Sequence, residues 1–116
     1  QYIINFTGDK ICDIAISSNI QLNLYRILQE QITNIIKHAI ADKIDITLKK
    51  VKNFIILNIQ DNGIGLNTEK YQRGIGLNNI KKRVELLSGN FTLTSSLGSG
   101  CEIDIKIPFD NTESVI

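Results

Sequence analysis

The chain of 116 residues has no tryptophan and no methionine, and its single proline, Pro108, stands near the end. It also lacks an excess of charge, because thirteen basic and twelve acidic residues leave a net charge of +1. This balance gives no basic footprint for nucleic acid. No apolar run approaches the roughly 20 residues of a membrane span, and no signal peptide is recognisable. We therefore expect a cytoplasmic domain that does not bind nucleic acid.

Cysteine is scarce, and the two that occur, Cys12 and Cys101, match no metal-ligand spacing. We interpret them as reduced intracellular thiols. The length indicates one domain, which we expect over residues 1–109, followed by a polar tail over residues 110–116. Because the first residue is Gln1 and not methionine, we also expect the domain to derive from a longer protein.

Hydrophobic periodicity predicts two helices. After a break at residues 17–19, the first helix runs from about Gln21 to Ala41. Its apolar stripe comprises Leu24, Leu28, Ile32, Ile35, Ile36 and Ala39, and the opposite side carries Glu30, Asn34 and Lys37. The second helix carries an apolar stripe of Leu77, Ile80, Val84 and Leu87. It is expected to end at Gly89, in the usual C-terminal glycine position.

Alternating apolar residues predict strands over residues 2–6, 44–49, 54–60, 91–94 and 101–107, and a further short strand over residues 11–16. A turn is expected over residues 7–10, beginning with Thr7 and Gly8. In the strand over residues 54–60, Ile55, Leu57 and Ile59 share a face, and Asp61 has the same parity. Its carboxylate is therefore expected on the buried side. This order of elements predicts a two-layer α+β sandwich, a mixed sheet with both helices on one face.

Glu30 and Asn34 stand four residues apart on the first predicted helix, so their side chains lie one above the other. A carboxylate and an amide oxygen placed in this way can bind a hard cation directly or through its water. Magnesium usually takes only one or two protein ligands besides phosphates and water. An ordinary solvated helix face has the same spacing, so that alternative stays open.

Asp61 follows the buried strand and precedes Asn62, Gly63 and Gly65. A buried carboxylate is costly unless hydrogen-bond donors meet it. The exocyclic amine of a base would be such a donor, and the glycines leave space for a flat ring against the backbone. The alternative is an ordinary turn, because Asn-Gly is a strong turn signal.

Gly74 and Gly76 stand where the second helix is expected to begin. Glycines at a helix N-terminus expose unpaired N–H groups at the positive end of the helix dipole, where anions such as phosphate bind. A dinucleotide-binding fingerprint is excluded, because it needs a preceding buried strand and a third small residue. Here residues 68–73 are polar and Asn79 takes the third place. A flexible loop is the other alternative.

Taken together, the three clusters resemble the nucleotide-binding boxes of the GHKL (Bergerat) ATP-binding fold. Residues 29–39 (QEQITNIIKHA) are similar to its asparagine box, residues 61–66 (DNGIGL) to its first glycine box, and residues 73–84 (RGIGLNNIKKRV) to its second. The variant is that of bacterial sensor histidine kinases, especially the nitrate-sensor and desaturase-thermosensor branch, with a short lid over about residues 67–73. The resemblance covers roughly residues 21–109.

The resemblance implies that Asn34 binds Mg²⁺ with Glu30 near the metal, and that these two residues serve catalysis. It implies that Asp61 accepts a hydrogen bond from the adenine amine, with Gly63 and Gly65 against the base. The remaining residues would contact the phosphates or the ribose: Lys37, His38, Arg73, Gly74, Gly76 and Leu77. Gly100 closes the last glycine turn of the fold, and Cys101 follows it. The family commonly has threonine there, whose hydroxyl supports the adenine-site aspartate, so the resemblance implies that Cys101 lies beside Asp61 in the nucleotide site.

The resemblance further implies a histidine kinase catalytic domain that uses ATP and Mg²⁺. Its partners would be a separate helical dimerisation and phosphoacceptor domain, which nothing in this chain resembles, and a downstream response regulator. We expect the isolated domain to be monomeric and its parent to be homodimeric, with membrane anchoring of the parent left open. Two alternatives remain, namely an anti-sigma-type serine kinase of the same fold and a non-catalytic, nucleotide-gated interaction module.

Overall fold

The computed structural model describes residues 3–8, 16–39, 41–63, 75–95 and 100–109. Two α-helices occur in these ranges, α1 (Ser18–Asn34) and α2 (Ile75–Leu86), and a π-helical turn (Ile35–Ala39) extends α1. The strands are β1 (Ile3–Gly8), β2 (Lys43–Val51), β3 (Phe54–Asp61), β4 (Asn90–Ser95) and β5 (Cys101–Pro108). The predicted α+β class is confirmed. None of the described helices is both long and apolar enough to span a membrane.

The five strands form one mixed sheet in the order β1-β2-β3-β5-β4, in which only β1 and β2 run parallel. Asp61, the last residue of β3, pairs with Ile44 of β2 on one side and with Cys101 of β5 on the other. The beginnings of β2 and β5 and the end of β3 therefore meet at the same end of the sheet. This is where the sequence predicts the base-binding carboxylate.

One face of the sheet packs against the helices, as predicted. Ile55, Leu57 and Ile59 of β3 are buried, and Asp61 is the next residue on that face. The core cluster also contains residues of both helices and of the neighbouring strands, among them Ile27, Ile35, Ile44, Ile80, Val84, Ile103 and Ile105. Each fully buried isoleucine contributes about 1.5–3 kcal/mol of transfer free energy. The opposite face is polar, and there the Asn58 amide donates to Glu102 (2.7 Å) and Asp104 (3.2 Å).

The predicted start of α1 is wrong by about one turn. Ser17, which we assigned to a break, is the N-cap, and its Oγ accepts a hydrogen bond from the N–H of Ile20 (3.2 Å). Serine is a strong N-cap residue, so the break marks the helix start itself. At the other end, the α-helix stops at Asn34 and continues as the π-helical turn to Ala39, not as a regular helix to Ala41.

The buried face of α1 also differs from the prediction. Its centre comprises Asn23, Ile27, Gln31 and Ile35, which recur every four residues. Leu24, Leu28 and Ile32 are only partly buried beside it, and Ile36 is 48 % exposed. The prediction missed this face because Asn23 and Gln31 are polar, and buried polar residues are unusual unless they are hydrogen-bonded. Glu30 and Asn34 are partly buried, so they do not lie on a fully solvated side.

Gly89 does not occupy the expected helix-terminating position. The residue with positive φ after α2 is Ser88, at φ 59°. The N–H of Ser88 donates to Glu85 O (3.0 Å) and that of Gly89 to Val84 O (2.9 Å). This is the Schellman pattern, with Ser88 in the left-handed position. Glycine is required one residue later for another reason, because a Cβ at Gly89 would lie 2.7 Å from the carbonyl oxygen of Lys106.

The first strand is longer than predicted, since β1 includes Thr7 and Gly8, which we expected to form a turn. All six residues of β1 are exposed, Ile4 and Phe6 among them. The predicted strand over residues 11–16 lies outside the described residues apart from Ile16, which is in neither a helix nor a strand.

Candidate functional site

Asp61 is the most unusual polar residue of the described chain. It is only 5 % exposed, and its Oδ1 accepts a hydrogen bond from the N–H of Gly63 (2.8 Å). Its Oδ2 is buried and has no hydrogen-bond partner within the described ranges. Burial raises the pKa of this carboxyl, while the N–H groups of Gly63 and Cys101 act in the opposite direction. Burying such an oxygen without a hydrogen bond costs free energy, so it indicates a place for a donor from outside the described residues.

Gly100, directly before β5, lies against the backbone of Asp61. Its φ of +79° lies in the region that favours glycine, and a Cβ here would overlap the carbonyl oxygen of Asp61. Sequence reasoning recognised the glycine turn but not this close approach. The turn therefore fixes the backbone of Asp61 as well as the start of β5.

Cys101 lies beside Asp61, since the two residues are paired in register on neighbouring antiparallel strands. Directly paired side chains of such strands point to the same face, with Cβ atoms about 5 Å apart. Cys101 is 4 % exposed and takes part in no disulfide among the described residues. The structure thus places Cys101 next to the carboxylate, while its part in nucleotide binding stays a prediction. Cys12 lies outside the described residues.

Asn62 has a structural role that the sequence did not reveal. Its Oδ1 accepts from the backbone N–H groups of Asp42 (3.1 Å) and Lys43 (3.0 Å), and its Nδ2 donates to the Asp42 carboxylate (2.8 Å). Its own N–H donates to Lys43 O (3.2 Å). Asn62 therefore ties the end of β3 to the segment that leads from the α1 end into β2.

Asn34 and Glu30 lie on α1, as predicted, but near its C-terminal end and not in its middle, and both are partly buried. The Asn34 Nδ2 donates to Oε1 of Gln31 (3.3 Å). Gln31 itself is only 1 % exposed. No role was predicted for Gln31. The signal that could have revealed it is its position four residues from both Ile27 and Ile35, on the buried face of α1.

The other predicted ligand residues are placed only in part. Lys37 is exposed on the π-helical turn, whereas the side chain of His38 lies outside the described part of the chain. Gly76 and Leu77 stand in the first turn of α2, and Leu77 is buried in the core. Gly65, Arg73 and Gly74 lie outside the described residues, as does the short lid.

The described residues contain no group of three or more His, Cys, Asp or Glu side chains that would hold a metal ion. A dedicated protein cage for a cation is thus not found in these ranges. Magnesium bound with a nucleotide needs fewer protein ligands, because phosphates and water complete its octahedron. An amide oxygen from Asn34 with a nearby carboxylate from Glu30 fits such a shared site.

The sequence from residue 19 to residue 111 matches a family model described as the histidine kinase-, DNA gyrase B-, and HSP90-like ATPase family. The chain belongs to this family. Membership confirms the GHKL resemblance, while the assignment to the nitrate-sensor and desaturase-thermosensor branch stays a prediction. The carboxylate at the end of β3 and the start of α2 both lie inside the matched region.

Curated relatives of this GHKL domain carry names of sensor kinases. It is 41 % identical over 90 residues to the sensor histidine kinase ComP of Bacillus subtilis, an alignment that covers 75 % of this chain and 12 % of ComP. It is 36 % identical over 100 residues to the histidine-protein kinase/phosphatase DegS of the same species, covering 83 % of this chain and 26 % of DegS. The chain therefore spans about a quarter or less of the length of these two relatives.

Solved structures show the same fold. The histidine kinase domain of a blue-light activated histidine kinase from Erythrobacter litoralis superposes with a TM-score of 0.77 at 18 % identity, over 99 % of this chain and 55 % of that one. The histidine kinase AdeS of Acinetobacter baumannii gives a TM-score of 0.74 at 23 % identity, over 95 % and 55 % of the two chains. At these identities the likeness concerns architecture alone, and it agrees with the two-layer sandwich described above.

Proposed function

We propose that this GHKL domain binds Mg-ATP and donates the γ-phosphoryl group to a histidine of a separate helical dimerisation domain in its parent protein. A response regulator would then receive the phosphoryl group. The observation that carries the proposal is the buried Oδ2 of Asp61, which has no partner among the described residues. The family of ATPases and the names of the relatives support the reaction, and they favour histidine over serine as the acceptor.

Adenine fits the Asp61 site because its exocyclic amine is a donor, and an ionised carboxylate only accepts hydrogen bonds. Guanine presents a carbonyl oxygen at the same ring position, which would bring two acceptors together without a proton between them. Gly63 is buried and has no side chain, so a flat ring could pack against its backbone beside the carboxylate. Gly65 is proposed to contact the same ring. We therefore expect the site to select adenine.

The phosphates would lie toward the beginning of α2, where the backbone N–H groups of Gly76 and Leu77 are suited to anions. Gly74 is proposed to contribute its N–H group to the same phosphates. Magnesium, held by Asn34 with Glu30 near its water shell, supplies charge neutralisation of the phosphates when it is bound. The other residues of the site would position the γ-phosphoryl group, since phosphoryl transfer depends chiefly on geometry and on stabilisation of charge. Lys37, His38 and Arg73 are proposed to balance the phosphate charge from the outer side.

Titration calorimetry of the 116-residue chain with ATP and GTP, each with Mg²⁺ and with EDTA, tests this proposal. We expect ATP to bind at least about tenfold more tightly than GTP, because hydrogen bonds to charged groups contribute about 1.5–3 kcal/mol. Asn34→Ala should remove the gain in ATP affinity that Mg²⁺ provides. Equal binding of ATP and GTP would contradict the role of Asp61, and an unchanged response of Asn34→Ala to magnesium would contradict the metal role.

A further inference from the structure

We infer that Gln31 is a positioning residue that orients the side-chain amide of Asn34 so that its oxygen points toward the metal and phosphates. This inference rests on the proposed function, because it concerns how the same site receives Mg-ATP. It adds a residue that neither the family match nor the sequence analysis assigned. The structural basis is a hydrogen bond between two carboxamides one turn apart at the end of α1.

Gln31 stands at a place where packing alone would favour an apolar side chain. It is 1 % exposed, and its neighbours one turn before and after on the same face, Ile27 and Ile35, are both 0 % exposed. Burying a carboxamide costs free energy that hydrogen bonds at best offset. An unbranched apolar residue of similar volume would avoid that cost. The presence of glutamine here therefore indicates a role for its polar atoms. One of these atoms, Oε1, accepts a hydrogen bond from Asn34.

The direction of that contact fixes the orientation of Asn34. A carboxamide has donors only on nitrogen and acceptors only on oxygen, and Nδ2 of Asn34 donates to Oε1 of Gln31 at 3.3 Å. Because the amide group is planar, Oδ1 then points away from Gln31. Asn34 is only partly buried, so this oxygen remains within reach of a ligand. The flipped amide would present its NH₂ group to a cation, which is repulsive.

Residues that orient a metal ligand typically change metal affinity or activity by 10–100-fold when they are replaced. The bond here is neutral and at the long end of the usual range, so we expect an effect near the lower limit. Gln31→Met retains the length and approximate volume of the side chain but removes the acceptor oxygen. In Gln31→Met, the ATP dissociation constant measured with Mg²⁺ should rise by roughly tenfold. The ATP dissociation constant measured in EDTA and the thermal stability should not change.

A second readout needs no nucleotide. The side-chain ¹⁵N–¹H resonances of Asn34 in the free chain should report a hydrogen-bonded amide, and in Gln31→Met they should move toward the positions of a solvated asparagine. Gln31→Glu keeps an acceptor oxygen at the same point and should restore the shifted resonances. Asn23→Leu is the matched control, since Asn23 is the buried polar residue two turns earlier on the same face. It should change neither the Asn34 resonances nor the magnesium dependence.

Unchanged Asn34 resonances in Gln31→Met would overturn the inference, and so would an unchanged ratio of the ATP dissociation constants with Mg²⁺ and with EDTA. An equal loss of affinity under both conditions would also overturn it, because that result indicates general damage to the cleft. Failure of the unsubstituted chain to bind ATP would instead contradict the proposed function. The resonances of the nucleotide-free chain would still show whether Gln31 orients Asn34.

Discussion

The turn after α2 and the turn before β5, which ends at Gly100, both bring two backbone segments closer than a Cβ atom allows. Gly89 lies against the carbonyl oxygen of Lys106, and Gly100 lies against that of Asp61. After α2 the backbone groups are paired, since Ser88 and Gly89 donate to Glu85 and Val84. At the end of β3, beside Gly100, the buried Oδ2 of Asp61 remains without a partner among the described residues.

This difference separates a turn that serves the fold from one that serves a ligand. Both turns use glycine for close approach, so glycine alone does not distinguish them. The buried, unpaired acceptor does, because a native structure rarely leaves such an atom without a compensating function. Substitutions at the turn after α2 should therefore change only the free energy of unfolding. Substitutions at the turn before β5, which contacts the end of β3, should change ligand affinity as well.

The largest effect is expected for Gly100→Ala. A Cβ would overlap the Asp61 carbonyl, and alanine disfavours a φ of +79°. Left-handed strain and overpacking together predict a loss of about 3 kcal/mol in the free energy of unfolding. Denaturant unfolding measures this loss, and calorimetry should show that ATP binding weakens even below the unfolding transition, because the Asp61 backbone is displaced.

Two further variants test the basis of this effect. Gly100→Asn tolerates positive φ but still carries a Cβ, so a similar loss would assign the effect to the overlap. Gly89→Ala should cost about 2 kcal/mol through the contact with Lys106 and should leave the ATP dissociation constant of the folded protein unchanged. If Gly89→Ala weakened ATP binding as much as Gly100→Ala, the proposed distinction between the two turns would be wrong.

Asp61→Asn should separate affinity from stability. The amide removes the negative acceptor that we assign to adenine, so ATP affinity should fall by about 1.5–3 kcal/mol. The unliganded protein should become more stable at neutral pH, because the substitution removes a buried charge whose Oδ2 has no hydrogen-bond partner among the described residues. Calorimetry and thermal unfolding measure the two effects. Asp104→Asn, on the open face of the sheet and exposed, is the control that should change neither.

The pH dependence follows from the raised pKa of Asp61, whose ordinary value is 3.8. The folded, unliganded chain holds this proton to higher pH than the unfolded chain, so this group makes stability fall as pH rises through the interval above 3.8. An adenine amine favours the charged carboxylate, so ATP affinity should rise over the same interval. Asp61→Asn should remove both trends, and their persistence in this variant would assign them to another group.

Much of this architecture was predictable from periodicity. The alternation of apolar residues in β3 predicted that Asp61 lies on the buried face, because a strict period of two assigns each residue of a strand to one face. The buried face of α1 was not predictable, because Asn23 and Gln31 are polar and are expected at the surface unless their hydrogen-bond partners are known. The positive φ of Ser88 and the close approach of Gly100 to Asp61 were also hidden. They depend on backbone contacts between segments distant in sequence, and local propensity does not encode such contacts.

Asn62→Ala should affect stability more than affinity, although Asn62 is adjacent to Asp61. Its side chain forms three hydrogen bonds with Asp42 and Lys43, and their loss should cost about 1–2 kcal/mol in the free energy of unfolding. Urea unfolding measures this cost. The ATP dissociation constant of the folded variant should change less than twofold, on the order of 0.4 kcal/mol. A loss of affinity as large as that of Asp61→Asn would instead place Asn62 among the ligand residues.

The smallest effect, and one of opposite sign, is expected after α2. Ser88 adopts a φ of 59°, a conformation that glycine accepts more readily than any residue with a Cβ. Ser88→Gly should therefore raise the free energy of unfolding by about 0.5–1 kcal/mol, measured by urea unfolding, with ATP affinity unchanged. Ser88→Ala keeps the Cβ and should show no such gain. Equal stabilisation by both would mean that the serine side chain, and not the left-handed backbone, limits stability at this turn.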